Sequence, residues 1–113
     1  MSERTGLELL GDILEATRRI RSYVGEMSYE EFRSDTKTQD SVLRNLEVIG
    51  EASRKLPTHE RSMIPGVPWK SMAGMRDRLI HDYAGVNLDI VWQVISEELP
   101  RLVREIEPRL QEP

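Results

Sequence analysis

The sequence predicts an all-α fold, an antiparallel bundle of four main helices with a kinked C-terminal helix. Apolar residues recur every three or four positions over most of the chain, and no segment shows strand alternation. Short connections separate the helical segments, as expected for neighbours that pack antiparallel. With 113 residues the chain can bury one modest core. We therefore expect residues 1–113 to form a single helical domain.

The first helix is predicted over residues 6–26. Thr5 and Glu8 have the spacing of a capping box, which marks a helix N-terminus. One face of this helix is predicted to pack on the core, and it carries Leu7, Leu10, Leu14, Thr17, Ile20 and Val24.

A second capping box and a second long helix follow. Ser28 and Glu31 predict a short helical turn that runs through Phe32. Asp35 then suits the N-cap of the long helix, which ends at Pro57 because proline disfavours helical geometry in the residue before it. The apolar face of this helix is predicted to carry Val42, Leu46, Ile49, Ser53 and Leu56.

The second half of the chain begins with a predicted loop and a third helix. Residues 57–68 contain three prolines and a glycine, and we expect a loop there with one turn of helix. Pro68 suits the first position of a helix, where its missing N–H costs nothing. This third helix is predicted from 68 to about 83, with Gly85 stopping it.

The fourth helix is predicted to start at Asn87, a favourable N-cap residue. Pro100 lies inside it and should kink the helix or split it in two. Its core stripe is predicted to be Leu88, Trp92, Ile95, Leu99, Leu102, Ile106 and Leu110.

Composition excludes several classes of function. A net charge of −4 argues against coating nucleic acid by bulk electrostatics, but it allows a localised basic site. No run of 18 apolar residues is present, and the N-terminus does not resemble a signal peptide, so we expect a cytoplasmic protein without a membrane span. The absence of cysteine removes disulfides, thiolate metal sites and cysteine nucleophiles.

The densest polar cluster is the stretch RDRLIHDYAG, residues 76 to 85. His81 can transfer protons near neutral pH, and the Arg76 guanidinium matches a phosphate. Together they suit cleavage of an RNA phosphodiester by its own 2′-hydroxyl, a reaction that moves two protons. Asp77 would orient the imidazole or raise its pKa. No metal or cofactor is implied.

On one continuous helix, Arg76 and Tyr83 would share an apolar arc with residues such as Met72 and Leu79. His81 would lie about 140° from Arg76, since each residue advances by about 100°. One straight helix in one subunit would then not bring the three side chains together. A second copy of the chain is the simplest way to complete the site and to supply a second histidine.

The cluster also has a purely structural interpretation. Arg76 would then pair with a buried carboxylate, His81 would be a solvated surface residue, and Tyr83 a half-buried core aromatic. His59, in the loop between the second and third helices, is interpreted as a plain loop residue. Spacing alone leaves this alternative open.

The pattern Arg76-x4-His81-x-Tyr83 resembles the signature of the HEPN superfamily, most closely its HepT-like branch. Three longer stretches share the resemblance and cover the chain from about residue 40 to 102. They are LRNLEVIGEASRKLP at 43 to 57, VPWKSMAGMRDRLIHDY at 67 to 83 and GVNLDIVWQVISEELPRL at 85 to 102.

The resemblance implies a helical bundle that dimerises, with the motif in a cleft between subunits. It implies a metal-independent endoribonuclease that is the toxin of a toxin–antitoxin pair, with an MntA-like nucleotidyltransferase as antitoxin. Arg76 and His81 would be the catalytic pair and Asp77 a supporting polar residue, where relatives often have asparagine. Tyr83 matches the tyrosine to which the antitoxin adds AMP.

Two further interpretations remain. The chain is a non-catalytic partner that presents a surface to a nucleotidyltransferase, or a structural bundle whose motif serves dimer packing. In the IGEA stretch at 49 to 52, Gly50 and Ala52 are interpreted as small residues at a close helix crossing, and Glu51 as the partner of a buried arginine.

Overall fold

The computed structural model describes residues 4–81 and 85–111. Two long helices form its centre, and several shorter helices pack against one or the other of them. In chain order the elements are α1 (Gly6–Val24), α2 (Tyr29–Arg33), α3 (Thr36–Lys55), α4 (Thr58–Ser62), α5 (Trp69–Ala73), α6 (Met75–Leu79), β1 (Ile80–His81), β2 (Gly85–Val86), α7 (Leu88–Gln93), a π turn (Val94–Glu98) and α8 (Leu99–Gln111).

The predicted N-terminal caps are confirmed. Glu8 accepts a hydrogen bond from the Thr5 backbone N–H at 2.9 Å, while the Thr5 hydroxyl accepts one from the Glu8 N–H at 3.1 Å. Ser28 and Glu31 form the same reciprocal pair before α2. Asp35 caps α3 through its carboxylate. Because each carboxylate accepts a backbone N–H, the pKa values of Glu8, Glu31 and Asp35 lie below their ordinary values.

The core forms where α1 packs lengthwise on α3. The start of α1 lies beside the end of α3, since Leu9 and Asp12 line the same cleft as Lys55, and the two helices are therefore antiparallel. Leu7 departs from the prediction: it lies in the first turn of α1 and is 53% exposed. The fully buried residues of the pair include Leu10, Ile13, Ile20, Val42, Leu46, Ile49 and Leu56.

The prediction of one continuous third helix over 68–83 is wrong. Gly74 separates α5 from α6, and α6 ends at Leu79. Ile80 takes an extended conformation, which suits its β-branched side chain. Its strand pairs antiparallel with β2, His81 opposite Gly85, and the Asn87 N–H donates to the Leu79 carbonyl at 2.8 Å. These bonds replace the hydrogen bonds that would continue the helix.

The chain around this hairpin also differs in detail from the predictions. Pro68 is the residue before α5 and not its first residue. Tyr83 lies outside the described residues, as do Asp82 and Ala84.

The fourth helical segment begins after Asn87, as predicted, and continues to Gln111. The Asn87 side chain accepts a hydrogen bond from the Ile90 N–H at 3.1 Å and so caps α7. The interruption predicted at Pro100 appears as the π turn that precedes it, in which the Leu99 N–H donates to the Val94 carbonyl. The helix is therefore not split in two. Within the described part of the chain, no helix is long and apolar enough to cross a membrane.

The prediction that Gly50 lies at a close helix crossing is confirmed, but the predicted pairing of Glu51 with a buried arginine is wrong. A Cβ atom on Gly50 would lie 3.2 Å from the Met75 Cβ and 3.3 Å from the Met72 carbonyl oxygen. Glu51 does not meet a buried arginine. It is exposed and forms ion pairs with exposed Arg54 and Lys55.

We predict opposite effects for the same substitution at two helical glycines. Gly50→Ala should lower the free energy of unfolding by about 1–3 kcal/mol, because neither neighbour of the added methyl group is a flexible side-chain end. Gly11→Ala in α1 meets no atom within 4 Å and should raise stability by roughly 0.5–1 kcal/mol through helix propensity. Urea denaturation of both variants checks this. Equal effects would show that α5 and α6 do not press on Gly50.

Candidate functional site

A cleft of about 420 Å³ lies between α1, α3 and the α5–α6 segment. Its walls are rich in charge. The acidic side chains at its edge are Asp12, Glu47 and Glu51, and the basic ones are Arg4, Arg44, Arg54, Lys55 and Arg76.

Three of these cations are neutralised by neighbouring carboxylates. Arg4 forms an ion pair with Asp12 at 2.5 Å. Arg54 and Lys55 share Glu51, at 2.5 and 3.8 Å.

Arg44 and Arg76 differ from the other three. Neither makes an ion pair or side-chain hydrogen bond with any part of the chain that the structure describes. The cleft therefore holds two arginines available to an external anion.

Arg76 is exposed, so two expectations about it are wrong. It does not lie in an apolar arc, and it pairs with no buried carboxylate within residues 4–81 and 85–111. The physical reason is the break at Gly74. In the short helix α6, Met75 and Leu79 take the buried positions, and Arg76 is turned about 100° away from Met75.

The arginine that does have a structural partner is Arg78. Its Nη1 and Nη2 atoms donate to the Glu98 Oε1 and Oε2 atoms at 2.9 and 2.6 Å, a two-fold contact typical of a strong guanidinium–carboxylate pair. Hydrogen bonding to Glu98 raises the pKa of Arg78. Both side chains are mostly buried. The pair ties α6 to the π turn.

Neither the role of Arg44 nor the Arg78–Glu98 pair is predictable from the sequence alone. No local spacing signals a pair whose members stand 20 positions apart. Arg44 belongs to the stretch LRNLEVIGEASRKLP, but only the fold shows that this residue of α3 borders the same cleft as Arg76.

The other predicted site residues are placed only in part. The backbone of His81 lies in β1, but its side chain is outside what the structure describes, and so is Tyr83. Asp77 is exposed on α6. On a continuous helix, Asp77 would lie one turn before His81. Because α6 ends at Leu79, Asp77 and His81 do not lie on one helix.

A metal ion in a protein is held by several side-chain ligands that lie close together. Over residues 4–81 and 85–111, no three histidine, cysteine, aspartate or glutamate side chains come close enough to hold a metal ion.

Comparison with known proteins identifies the family. The family model for ribonuclease HepT-like proteins matches residues 13–108. A Thermococcus cleftensis protein named as a probable ribonuclease HepT is 41% identical over 105 residues, 93% of this chain and 96% of that protein. The mRNA nuclease HepT of Shewanella oneidensis is 29% identical across 80% of this chain and 84% of its own length.

One solved structure has the same fold. It is the tri-AMPylated HEPN toxin of Shewanella oneidensis in complex with an MNT antitoxin, with a TM-score of 0.66 and 25% identity over 98% of this chain and 100% of that one. The resemblance to the HepT-like branch and the all-α HEPN fold predicted from the sequence are thereby confirmed. The chain belongs to the ribonuclease HepT-like family.

Proposed function

We propose that this chain is a metal-independent endoribonuclease, the toxin of a toxin–antitoxin pair, with Arg76 and His81 as its catalytic pair. The active form is a homodimer in which both copies of the motif face one cleft. An MntA-like nucleotidyltransferase antitoxin blocks this site by adding AMP to Tyr83. RNase names among the relatives and the toxin–antitoxin complex of the structural neighbour support this assignment.

The observation that carries the proposal is the contrast between two arginines of one short helix. Arg78 has a carboxylate partner, and Arg76 is exposed at the cleft without one among the described residues. An uncompensated arginine contributes little to the fold. It is available to stabilise charge on the phosphoryl oxygens of a substrate.

His81 carries the proton transfers in this proposal. The 2′-hydroxyl loses its proton as it attacks the adjacent phosphorus, and the 5′-oxygen gains a proton as its bond to phosphorus breaks. The products are a 2′,3′-cyclic phosphate and a 5′-hydroxyl. One imidazole from each subunit would serve as base and acid. Asp77, two residues before α6 ends, supports the pair from the same segment.

The acidic composition favours a second candidate function. With a net charge of −4, the chain attracts RNA less strongly than a basic nuclease would. It would then be a non-catalytic partner that presents Tyr83 to a nucleotidyltransferase. This alternative has the same fold but requires no RNA cleavage by the purified chain.

The two histidines of the chain provide a matched test of catalysis. His81→Ala should lower the rate of RNA cleavage by about 10²–10⁴-fold, the usual contribution of a general acid or base. His59→Ala, an exposed position in α4, should leave the rate unchanged. Each protein is incubated with RNA and excess chelator, and the fragments are followed over time. Loss of cleavage by chelator alone would contradict a metal-independent reaction.

The outcome also separates the candidate functions. Cleavage by the parent and by His59→Ala, but not by His81→Ala, is expected for the nuclease. Equal cleavage by all three would exclude His81 from the reaction. No cleavage by an unmodified parent protein would favour the partner-module alternative.

The tyrosines allow the same comparison for modification. After incubation with the nucleotidyltransferase and ATP, Tyr83→Phe should gain no AMP by intact-mass measurement and should keep its ribonuclease activity. Tyr23→Phe, which removes an exposed hydroxyl on α1, should be modified like the parent. Unchanged AMP addition to Tyr83→Phe would place the modification elsewhere.

A further inference from the structure

We infer that Arg44 binds a phosphate of the RNA strand next to the one that is cut, so that the strand follows the cleft along α3. This inference rests on the proposed function, because it assigns a second contact to the same substrate. Four observations support it: the direction of α3, the charge balance of the cleft lining, the exposure of Arg44, and the absence of an ion-pair partner for Arg44 in the described part of the chain.

The direction of α3 puts Arg44 at the motif end of the cleft. Gly50 is in close contact with Met72 and Met75. Earlier on α3, Leu43 and Glu47 border a small cavity together with Leu79 and Ile80, where α6 ends. The two helices therefore run in opposite directions here, and residues before Gly50 on α3 lie beside residues after Met75 on α6.

Arg44 directly follows Leu43, so it lies towards the end of α6 and towards β1, which contains His81. Arg76 borders both cavities and joins the two regions.

The charge balance differs between the two ends of the cleft. At the far end, Glu51 neutralises Arg54 and Lys55, and Asp12 neutralises Arg4. At the motif end, the cleft lining that the structure describes has Arg44, Arg76 and one carboxylate, Glu47, which is in no ion pair with another described residue.

The described lining at this end of the cleft, two arginines and one glutamate, is therefore net positive although the chain carries a charge of −4. A localised positive end in an acidic protein selects for a phosphate group at that place.

The dimensions limit how much of the strand is held. From Arg44 to Lys55 the cleft runs roughly 16 Å along α3, since a helix rises 1.5 Å per residue. Only the part of the cleft near Arg44 and Arg76 has arginines without an ion-pair partner among the described residues. We therefore expect one strong phosphate contact beside the cut and little grip beyond it.

RNA binding is measured first, in the His81→Ala variant, because this variant should not cleave the RNA. A short labelled single-stranded RNA is titrated against His81→Ala and His81→Ala/Arg44→Ala over a range of salt concentrations. Loss of Arg44 should weaken binding about tenfold at low salt and reduce the slope of log K against log salt by about 0.7, the value for one phosphate contact on a single strand. His81→Ala/Arg54→Ala is the control. It removes an arginine of the same cleft that already has a carboxylate partner, and should change binding less than about twofold.

Kinetics then distinguish binding from catalysis. In the catalytically competent protein, Arg44→Ala should raise KM about tenfold and keep kcat within about twofold, the pattern of an interaction made equally in ground and transition states. Arg44→Lys keeps the charge and should recover most of the affinity.

The inference is overturned if Arg44→Ala binds RNA with the affinity and salt slope of the Arg54 control, or if it lowers kcat with KM unchanged. A parent protein that binds RNA but does not cut it rejects the proposed function, while the salt slopes still decide the role of Arg44. A parent that binds no RNA rejects both.

Discussion

Close packing of α5 and α6 against Gly50 of α3 sets the position of the candidate site. A side chain at Gly50 would meet the Met75 Cβ and the Met72 carbonyl oxygen, so the motif segment lies directly on the helix. Met72, Met75 and Leu79 are buried by this contact. On the same short helix, Arg76 borders the cleft and Arg78 contacts Glu98 of the π turn. Packing at one glycine thus decides which polar side chains become available.

As a consequence, Arg76 and Arg78, which are two positions apart in the sequence, have different roles. Arg78 contacts both oxygens of Glu98 and joins α6 to the last helical segment. Arg76 leaves the same helix on the cleft side, beside Arg44 of α3. Positive charge without a local counter-ion is unfavourable for stability and favourable for binding an anion. Its position at the end of the cleft nearest β1 is the basis for proposing a phosphodiester substrate.

The sequence predicts the local features of this fold well. Capping boxes at Thr5 and Ser28 and the caps at Asp35 and Asn87 depend on contacts within three residues, and all four occur. The third helix was mispredicted because its periodicity continues through Gly74 and Ile80, where the hairpin of β1 and β2 competes with the helix. That hairpin depends on pairing with residues 85 and 86, which a helical period does not reveal.

The candidate site was predictable only in its residue types. Arg76 was identified from its spacing to His81, but on a continuous helix it was assigned to the wrong surface. Arg44 and Glu98 come from other elements, and only the packing of those elements brings them to α6.

The most direct test compares Arg76→Gln with Arg78→Gln in the same preparation, measuring both the melting temperature and the rate of RNA cleavage. We expect Arg76→Gln to keep the melting temperature and lose at least about a hundredfold in rate, as for loss of a transition-state charge contact. Arg78→Gln should lower the melting temperature by several degrees, because it leaves Glu98 without its partner. A lower melting temperature for Arg76→Gln with cleavage retained would contradict the account and return Arg76 to a structural role.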